Sequence, residues 1–239
     1  IGQHGNNYGN SYKSPSLEEE FSDKFITWGW NNQNKKYMKG FIFKNINFKR
    51  NTNPRDIIFQ TIHYLPRIQT YDEFYEYYQQ KEEIYSLTEK IEKDLKKNIL
   101  IRLHSFSEIY RKDDYSEWKK FNSNIRIDRG RGYTSQSKLY KNARAIVHCY
   151  DSTGILETLS ANIPTFAYFQ NNLDHLNYET KRDYKELVNA EILHLSPSSL
   201  ARKINEVYEN IEEWWNEEAR QEIINFFVSK YANNRNKTL

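Results

Sequence analysis

The residues of this chain best suited to chemistry lie in one stretch, Cys149 to Phe169, which reads CYDSTGILETLSANIPTFAYF. An apolar run from Ala145 to Tyr150 stops at Asp151-Ser152-Thr153-Gly154. A helix-like segment follows, and Asn162-Ile163-Pro164 turns into a second apolar run. Strand, polar turn, short helix, turn and strand make half of a doubly wound α/β domain. Asp151, Ser152 and Thr153 then stand where such a domain presents free backbone N–H groups at a helix N-terminus. That place suits a phosphate, because orphan donors and the helix dipole both favour an anion. Glu157, one helical turn beyond Thr153, projects from the same face, within reach of a sugar hydroxyl. The alternative for these residues is an ordinary capped helix with Glu157 on a solvated face.

Other candidates are scattered along the chain. Gln3-His4-Gly5, with Tyr8-Gly9, sets a histidine between a strand end and a glycine-rich loop. Glycines there allow close backbone approach to a ligand, and an imidazole can act as base or phosphate partner. Ile101-Arg102-Leu103-His104 puts a cation and an imidazole at another strand end. The two share a face by the period of two, so they can hold a diphosphate or simply form a salt-bridged strand end. Asp128-Arg-Gly-Arg-Gly132 is an anion nest or a solvated turn. His63 and His148 read as structural, and His175 as a loop residue able to touch a ligand. Cys149, the one cysteine, excludes an intrachain disulfide and reads as a buried strand residue, consistent with a reducing compartment.

Several chemistries lack their signatures. No Cys/His cluster has zinc spacing, no acidic pair resembles a metal site, and GxGxxG, Walker and G-x-S-x-G patterns are absent from the sequence. The expectation is therefore no metal and no cofactor. A net charge of +3, spread over 35 basic and 32 acidic residues without a basic stripe, argues against nucleic acid.

The elements that must position these residues follow from the pattern. The chain has 239 residues, enough for one large domain or two small ones, and its 19 Tyr and 13 Phe carry much of the burial. Ser16 with Glu19 makes a capping box for a short helix through Asp23. Strands are expected at Phe25 to Trp30, Gly40 to Phe48, Asp56 to Ile62, Ile99 to Leu103, Ile125 to Ile127, Ala145 to Tyr150, after Pro164, and at Ile192 to Leu195. One long amphipathic helix is expected from Tyr71 to Lys97 and others at Glu108 to Phe121, Ser135 to Asn142 and Tyr178 to Asn189. A helical tail begins at Ser196-Pro197. Alternation of strands and helices predicts a parallel sheet covered on both faces, with ligands at the carboxyl ends of its strands. His104, Asp128 and Asp151 to Thr153 all fall there. No stretch reaches the ~18 apolar residues of a membrane span. The chain opens at Ile1 without Met and reads as a fragment of a longer protein.

GQHGNNYG, EEEFSDKFITWGW, RLH and YDSTGILETLSANIPTFAYF, in this order, resemble a family of bacterial surface-carbohydrate transferases, a branch of the GT-B glycosyltransferases. A more distant likeness is to the CDP-glycerol glycerophosphotransferases of teichoic-acid synthesis. The resemblance covers most of residues 1 to 195. It departs from the pattern at Asn6, where a further glycine is expected, and at Ser105, where many relatives carry proline.

The resemblance implies an α/β, Rossmann-like doubly wound parallel sheet of the GT-B C-terminal domain type, with a helical C-terminal tail. Residues 1–50 would form the segment carrying the His-Gly loop on the interdomain cleft side, 51–196 the nucleotide-donor-binding domain and 197–239 the tail. It further implies that Ser152, Thr153 and the adjacent N–H groups of the Asp151–Gly154 turn hold the donor phosphates, with Arg102 and His104 facing them. Glu157 would bond ribose hydroxyls. His4, beside Gly5, would act in the cleft as base or as stabiliser of departing charge, and no metal would be needed. The implied partners are a nucleotide-activated sugar or sugar-phosphate donor and a glycan acceptor held by a missing N-terminal domain. The implied location is cytoplasmic, with peripheral association at the inner membrane face. Two competing readings stay open: a non-catalytic nucleotide- or sugar-binding α/β module, and a sugar-nucleotide epimerase using His4 and Glu157 as acid and base.

Overall fold

The computed structural model describes residues 1–6, 8–11, 14–43, 50–62, 77–104, 113–130, 134–170 and 172–234. Its centre is a six-stranded parallel sheet built from β3 (Asp56–Gln60), β4 (Ile99–Arg102), β5 (Arg126–Asp128), β6 (Ala143–His148), β7 (Thr165–Tyr168) and β8 (Leu193–His194). The order across the sheet is β5-β4-β3-β6-β7-β8, all parallel. The chain therefore winds outward from β3 one way and, after β6, the other way, which is the Rossmann-like doubly wound order. Its direction reverses between β3 and β6, and their carboxyl ends flank the crevice where such sheets bind ligands.

The strands form where apolar and β-branched residues run without interruption, because both faces are covered. Ile57, Phe59, Ile99, Ile101, Ala145 and Val147 pack on one face with α2 (Tyr77–Lys90) and α8 (Pro197–Val207). Ile58, Leu100 and Ile146 face the other way, against Leu139 and Tyr140 of α5 (Gln136–Asn142). A further core joins Tyr8, Phe25, Trp28 and Trp30 to α6 (Thr153–Ser160), α7 (Tyr178–Asn189) and α10 (Glu218–Tyr231). The remaining described helices are α1 (Leu17–Phe21), α3 (Lys93–Lys96), α4 (Asp114–Phe121) and α9 (Ile211–Trp215). No described helix is long and apolar enough to cross a membrane.

Local readings hold in several places. Ser16 and Glu19 form the reciprocal capping box, and α7 has the expected bounds. Three readings need correction. The strand expected from Phe25 to Trp30 is β1 (Phe25–Thr27), ending before Gly29 at φ +132. Its partner is β2 (Tyr37–Lys39), not a strand starting at Gly40, and residues 44–49 lie outside the described residues. The helix expected from Tyr71 to Lys97 is broken after Lys90, and its first residues, 71–76, lie outside the described residues. A distant side chain explains the break: Asn205 of α8 donates to Lys90 O at 3.0 Å and accepts from Glu92 N at 3.0 Å. Those bonds satisfy the backbone of an interrupted helix, so continuation is not required.

Candidate donor site at the sheet switch point

The turn after β6 meets its helix without a side-chain cap, as do the starts of α3, α9 and α10. Ser152 occupies the N-cap of α6 in extended conformation, yet its side chain makes no capping bond. Ser16, Asp113, Ser135, Asn177 and Ser196 each accept a backbone N–H at their own helices. At α6 the serine hydroxyl instead lies 3.4 Å from His148 Nδ1. The first turn of α6 therefore receives no cap from the Ser152 side chain, at the helix end where an anion is favoured. Gly154 brings this helix start down on the sheet: a Cβ there would meet His148 Cε1 at 2.7 Å and Gln60 Oε1 at 3.1 Å. His148 is fully buried, and burial pushes its pKa down to about 3. It serves as a neutral floor, with Nε2 3.0 Å from Thr158 Oγ1.

The glycine-rich N-terminal loop docks on the same turn. Gly5 abuts Thr153 Oγ1, which a Cβ would meet at 3.4 Å, and Asn6 N donates to that oxygen at 3.2 Å. Asp151 is the anchor. Its buried carboxylate accepts from Asn6 Nδ2 at 2.6 Å, lies 2.8 Å from His175 Nε2 and accepts from the Tyr184 hydroxyl at 3.2 Å. Asn6, which departs from the expected glycine, thus clasps the two loops together. Asp151 is directed into this clasp, and His175 meets it there.

His4 stands at the exposed edge of the clasp. Its Nε2 is 3.1 Å from Glu18 Oε2 and 2.5 Å from the Tyr8 hydroxyl, which also donates to Glu18. The Tyr8 hydrogen bond, and then His4, hold the Glu18 carboxyl below its ordinary range, while burial and Glu18 push the Tyr8 phenol well up. An imidazole oriented at one nitrogen by a carboxylate can exchange protons at the other. Sequence reasoning missed Tyr8 and Glu18 as partners; the four-residue spacing of His4 and Tyr8 was the available signal.

On the sheet side, register brings four residues into one row. Gln60 pairs with both His148 and Arg102, and Arg102 pairs with Asp128. Arg102 Nη1 accordingly donates to Asp128 Oδ1 at 2.7 Å, and both terminal nitrogens reach Thr134 O at 3.2 Å. Asp128 also accepts from Gly130 N at 2.8 Å. Arg102 therefore forms the salt-bridged strand end, and as a phosphate ligand it would have to leave this partner. His104 lies two residues beyond the end of β4, half-buried. Arg131 and Gly132 of the proposed nest, and His63, lie outside the described residues.

Glu157 is buried rather than solvated, and Gln136 Nε2 donates to it at 3.2 Å. Gln136 and Gln60 both donate to the Tyr140 hydroxyl at 2.5 Å. Burial pushes the Tyr150 phenol up to about 12, with Cys149 and Glu157 adding to the shift. Gln60, Gln136 and Tyr140 therefore belong with Glu157, although none carried a sequence signal. Cys149 is buried with its thiol pushed well up, which suits packing and not nucleophilic attack. Among the described residues no group of three or more His, Cys, Asp or Glu side chains converges as a metal site would require.

The model of the LIC12162 family transferases matches residues 1–239. The chain belongs to that family. No curated protein matches it significantly. Solved structures similar to it include the wall teichoic acid polymerase TagF soaked with CDPG, at 14% identity and a TM-score of 0.46, covering 90% of this chain and 53% of that one. Another is the glycotransferase of kitacinnamycin, at 14% identity and a TM-score of 0.42, covering 85% and 49%. This family member thus spans about half the length of the solved structures it matches.

Proposed function

We propose that this chain is the donor-binding part of a glycosyltransferase-like enzyme. It would take a sugar or sugar-phosphate from a nucleotide-activated donor, in bacterial surface polysaccharide biosynthesis. The observation that carries the reading is the α6 N-terminus at the sheet switch point, with a cap-competent serine that does not cap and a glycine-rich loop clasped beside it. In this reading Ser152, Thr153, Gly154 and the first-turn N–H groups hold the donor phosphates. Gly5 permits their close approach, and the Asp151 carboxylate keeps the two loops together. Glu157, positioned by Gln136, takes the ribose hydroxyls. His104 and Arg102 line the sheet side of the phosphates, Arg102 exchanging its bond to Asp128 for one to phosphate.

Catalysis would fall to His4. With Glu18 holding Nε2, Nδ1 either takes the proton of the acceptor hydroxyl as that oxygen attacks the donor or, in the protonated ring, donates its N–H to the departing phosphate and offsets its charge. The acceptor would be a glycan bound by a preceding domain. Residues 51–196 form the donor unit, with 1–50 on the cleft side and 197–239 as the helical tail. The enzyme would work in the cytoplasm, at the inner face of the membrane.

Thermal-shift titration with CMP, CDP, UDP and GDP tests this. One nucleotide should stabilise the chain, and Glu157→Ala should weaken its binding roughly tenfold or more, the worth of a hydrogen bond to a charged group. Stabilisation by none of them overturns the reading.

A further inference from the structure

The hydrogen bonds beneath the Ser152–Gly154 turn have a direction that can be read from their partners. Thr158 Oγ1 lies 3.1 Å from Gly154 O and 3.2 Å from Ile155 O. A carbonyl oxygen only accepts, so the threonine hydroxyl uses its hydrogen there. Were that hydrogen turned to the imidazole, two carbonyl oxygens would face Oγ1 with nothing between them. His148 Nε2, 3.0 Å from the same Oγ1, therefore carries a hydrogen and donates it. Full burial keeps the ring neutral, which leaves Nδ1 bare. A bare ring nitrogen only accepts, so the Ser152 hydroxyl, 3.4 Å away, donates to it. The relay runs from Ser152 through His148 and Thr158 to the carbonyl of Gly154, and ends on the helix where it began. Gly154 holds the ring in register: a Cβ there would meet Cε1 at 2.7 Å and Nδ1 at 3.1 Å.

We propose that His148 is a positioning residue that holds the Ser152 hydroxyl off the N-terminus of α6. A serine in extended conformation at a helix start ordinarily turns its oxygen to an amide of the first turn, and Ser16, Ser135 and Ser196 do so. Ser152 is equally extended, at φ −113° and ψ 159°, and does not. Its hydroxyl points at the imidazole instead, and the place of a capping oxygen is left to an anion from outside. The geometry stands by itself, whereas its consequence for binding rests on the donor-site reading. On that reading Ser152 contributes its backbone to the phosphate seat and not its hydroxyl hydrogen, which His148 already receives. A serine cap and a donor phosphate exclude one another at this helix end, and His148 decides between them.

The test has a ligand-free arm and a binding arm. A long-range ¹H–¹⁵N correlation spectrum of the labelled chain at about pH 7, with the His148 ring identified by its loss in His148→Gln, should show the hydrogen on Nε2 and Nδ1 bare. The Hα–Hβ couplings of Ser152 should report one side-chain rotamer in the parent and another in His148→Gln. A hydrogen on Nδ1, or the same rotamer in both chains, overturns the proposal. The binding arm is calorimetric titration with CMP, CDP, UDP and GDP. His148→Gln keeps an amide for Thr158 but withdraws the acceptor of Ser152. The freed hydroxyl should then cap α6 and weaken nucleotide binding by about fivefold, the worth of one N-cap. Adding Ser152→Ala should restore the parent affinity, which lost packing alone would not do. Unchanged affinity in His148→Gln, or no recovery in the double variant, overturns the proposal. Binding of none of the four nucleotides by the parent overturns the donor-site reading instead, and the ring spectrum and couplings then decide the role of His148.

Discussion

Acid should loosen this protein from beneath the Ser152–Gly154 turn. His148 is fully buried under Ser152 and Gly154, and burial pushes its pKa from 6.5 down to about 3. His194 is buried beside Ser199, and burial, partly offset by a bond to the Glu191 carbonyl, brings its pKa to about 4. Both are neutral in the fold, whereas the unfolded chain takes up a proton at each near pH 6.5. Their contribution to stability is therefore complete above pH 6.5 and is lost as the pH falls from there toward the folded values. The slope is about 1.4 kcal/mol per pH unit for each histidine, so between about pH 7.5 and about pH 5 each costs about 2 kcal/mol and the pair about 4 kcal/mol. Against a typical stability of about 5–15 kcal/mol that is a large share. Urea unfolding followed by tryptophan fluorescence at the two pH values measures it. His148→Gln removes one titrating group and leaves an amide for Thr158. The variant should be less stable at both pH values, but its loss between them should be smaller than that of the parent by about 2 kcal/mol. An unchanged loss in the variant would show that His148 carries its proton in the folded state, and would refute the argument.

Other perturbations follow from single contacts. Asp151→Ala strips the acceptor shared by Asn6, His175 and Tyr184; it should cost about 2–4 kcal/mol by calorimetry and, on the donor-site reading, weaken nucleotide binding as the glycine-rich loop detaches. Gly9→Ala forces a methyl group against Trp30 at positive φ, and urea unfolding should show a loss of about 2–4 kcal/mol. Lys81→Met leaves the buried Asp114 carboxylate, 2.9 Å from the lysine nitrogen, without its cation. Stability should fall by about 3–5 kcal/mol at neutral pH, and the deficit should narrow in acid as the carboxylate is protonated.

Much of the architecture was legible locally. Apolar runs at Ile57–Phe59 and Ala145–Val147 mark buried parallel strands, because a strand covered on both faces needs no polar alternation. Ser16 with Glu19 and the span Tyr178–Asn189 were readable because caps and helical periodicity act within a few residues. The turn Asp151–Gly154 was legible as a helix start for the same reason. What a neighbour supplies was not legible. The amide of Asn205 ends a helix that periodicity alone would continue through Glu92. Sheet register, decided by the packing of every strand at once, puts Arg102 opposite Asp128, and so gives a candidate phosphate ligand an ion-pair partner.

The same division holds for the turn Asp151–Gly154. Its residue types establish by themselves that a helix begins at Thr153 and that Ser152 is able to cap it. Only the tertiary structure decides that Ser152 turns to His148 instead, that Asn6 and Gly5 close on Thr153, and that Glu157 is buried against Gln136. Sequence constrains what the backbone does over a few residues. A site is an agreement among side chains up to about 150 positions apart, and it exists only once the sheet has brought them to one edge.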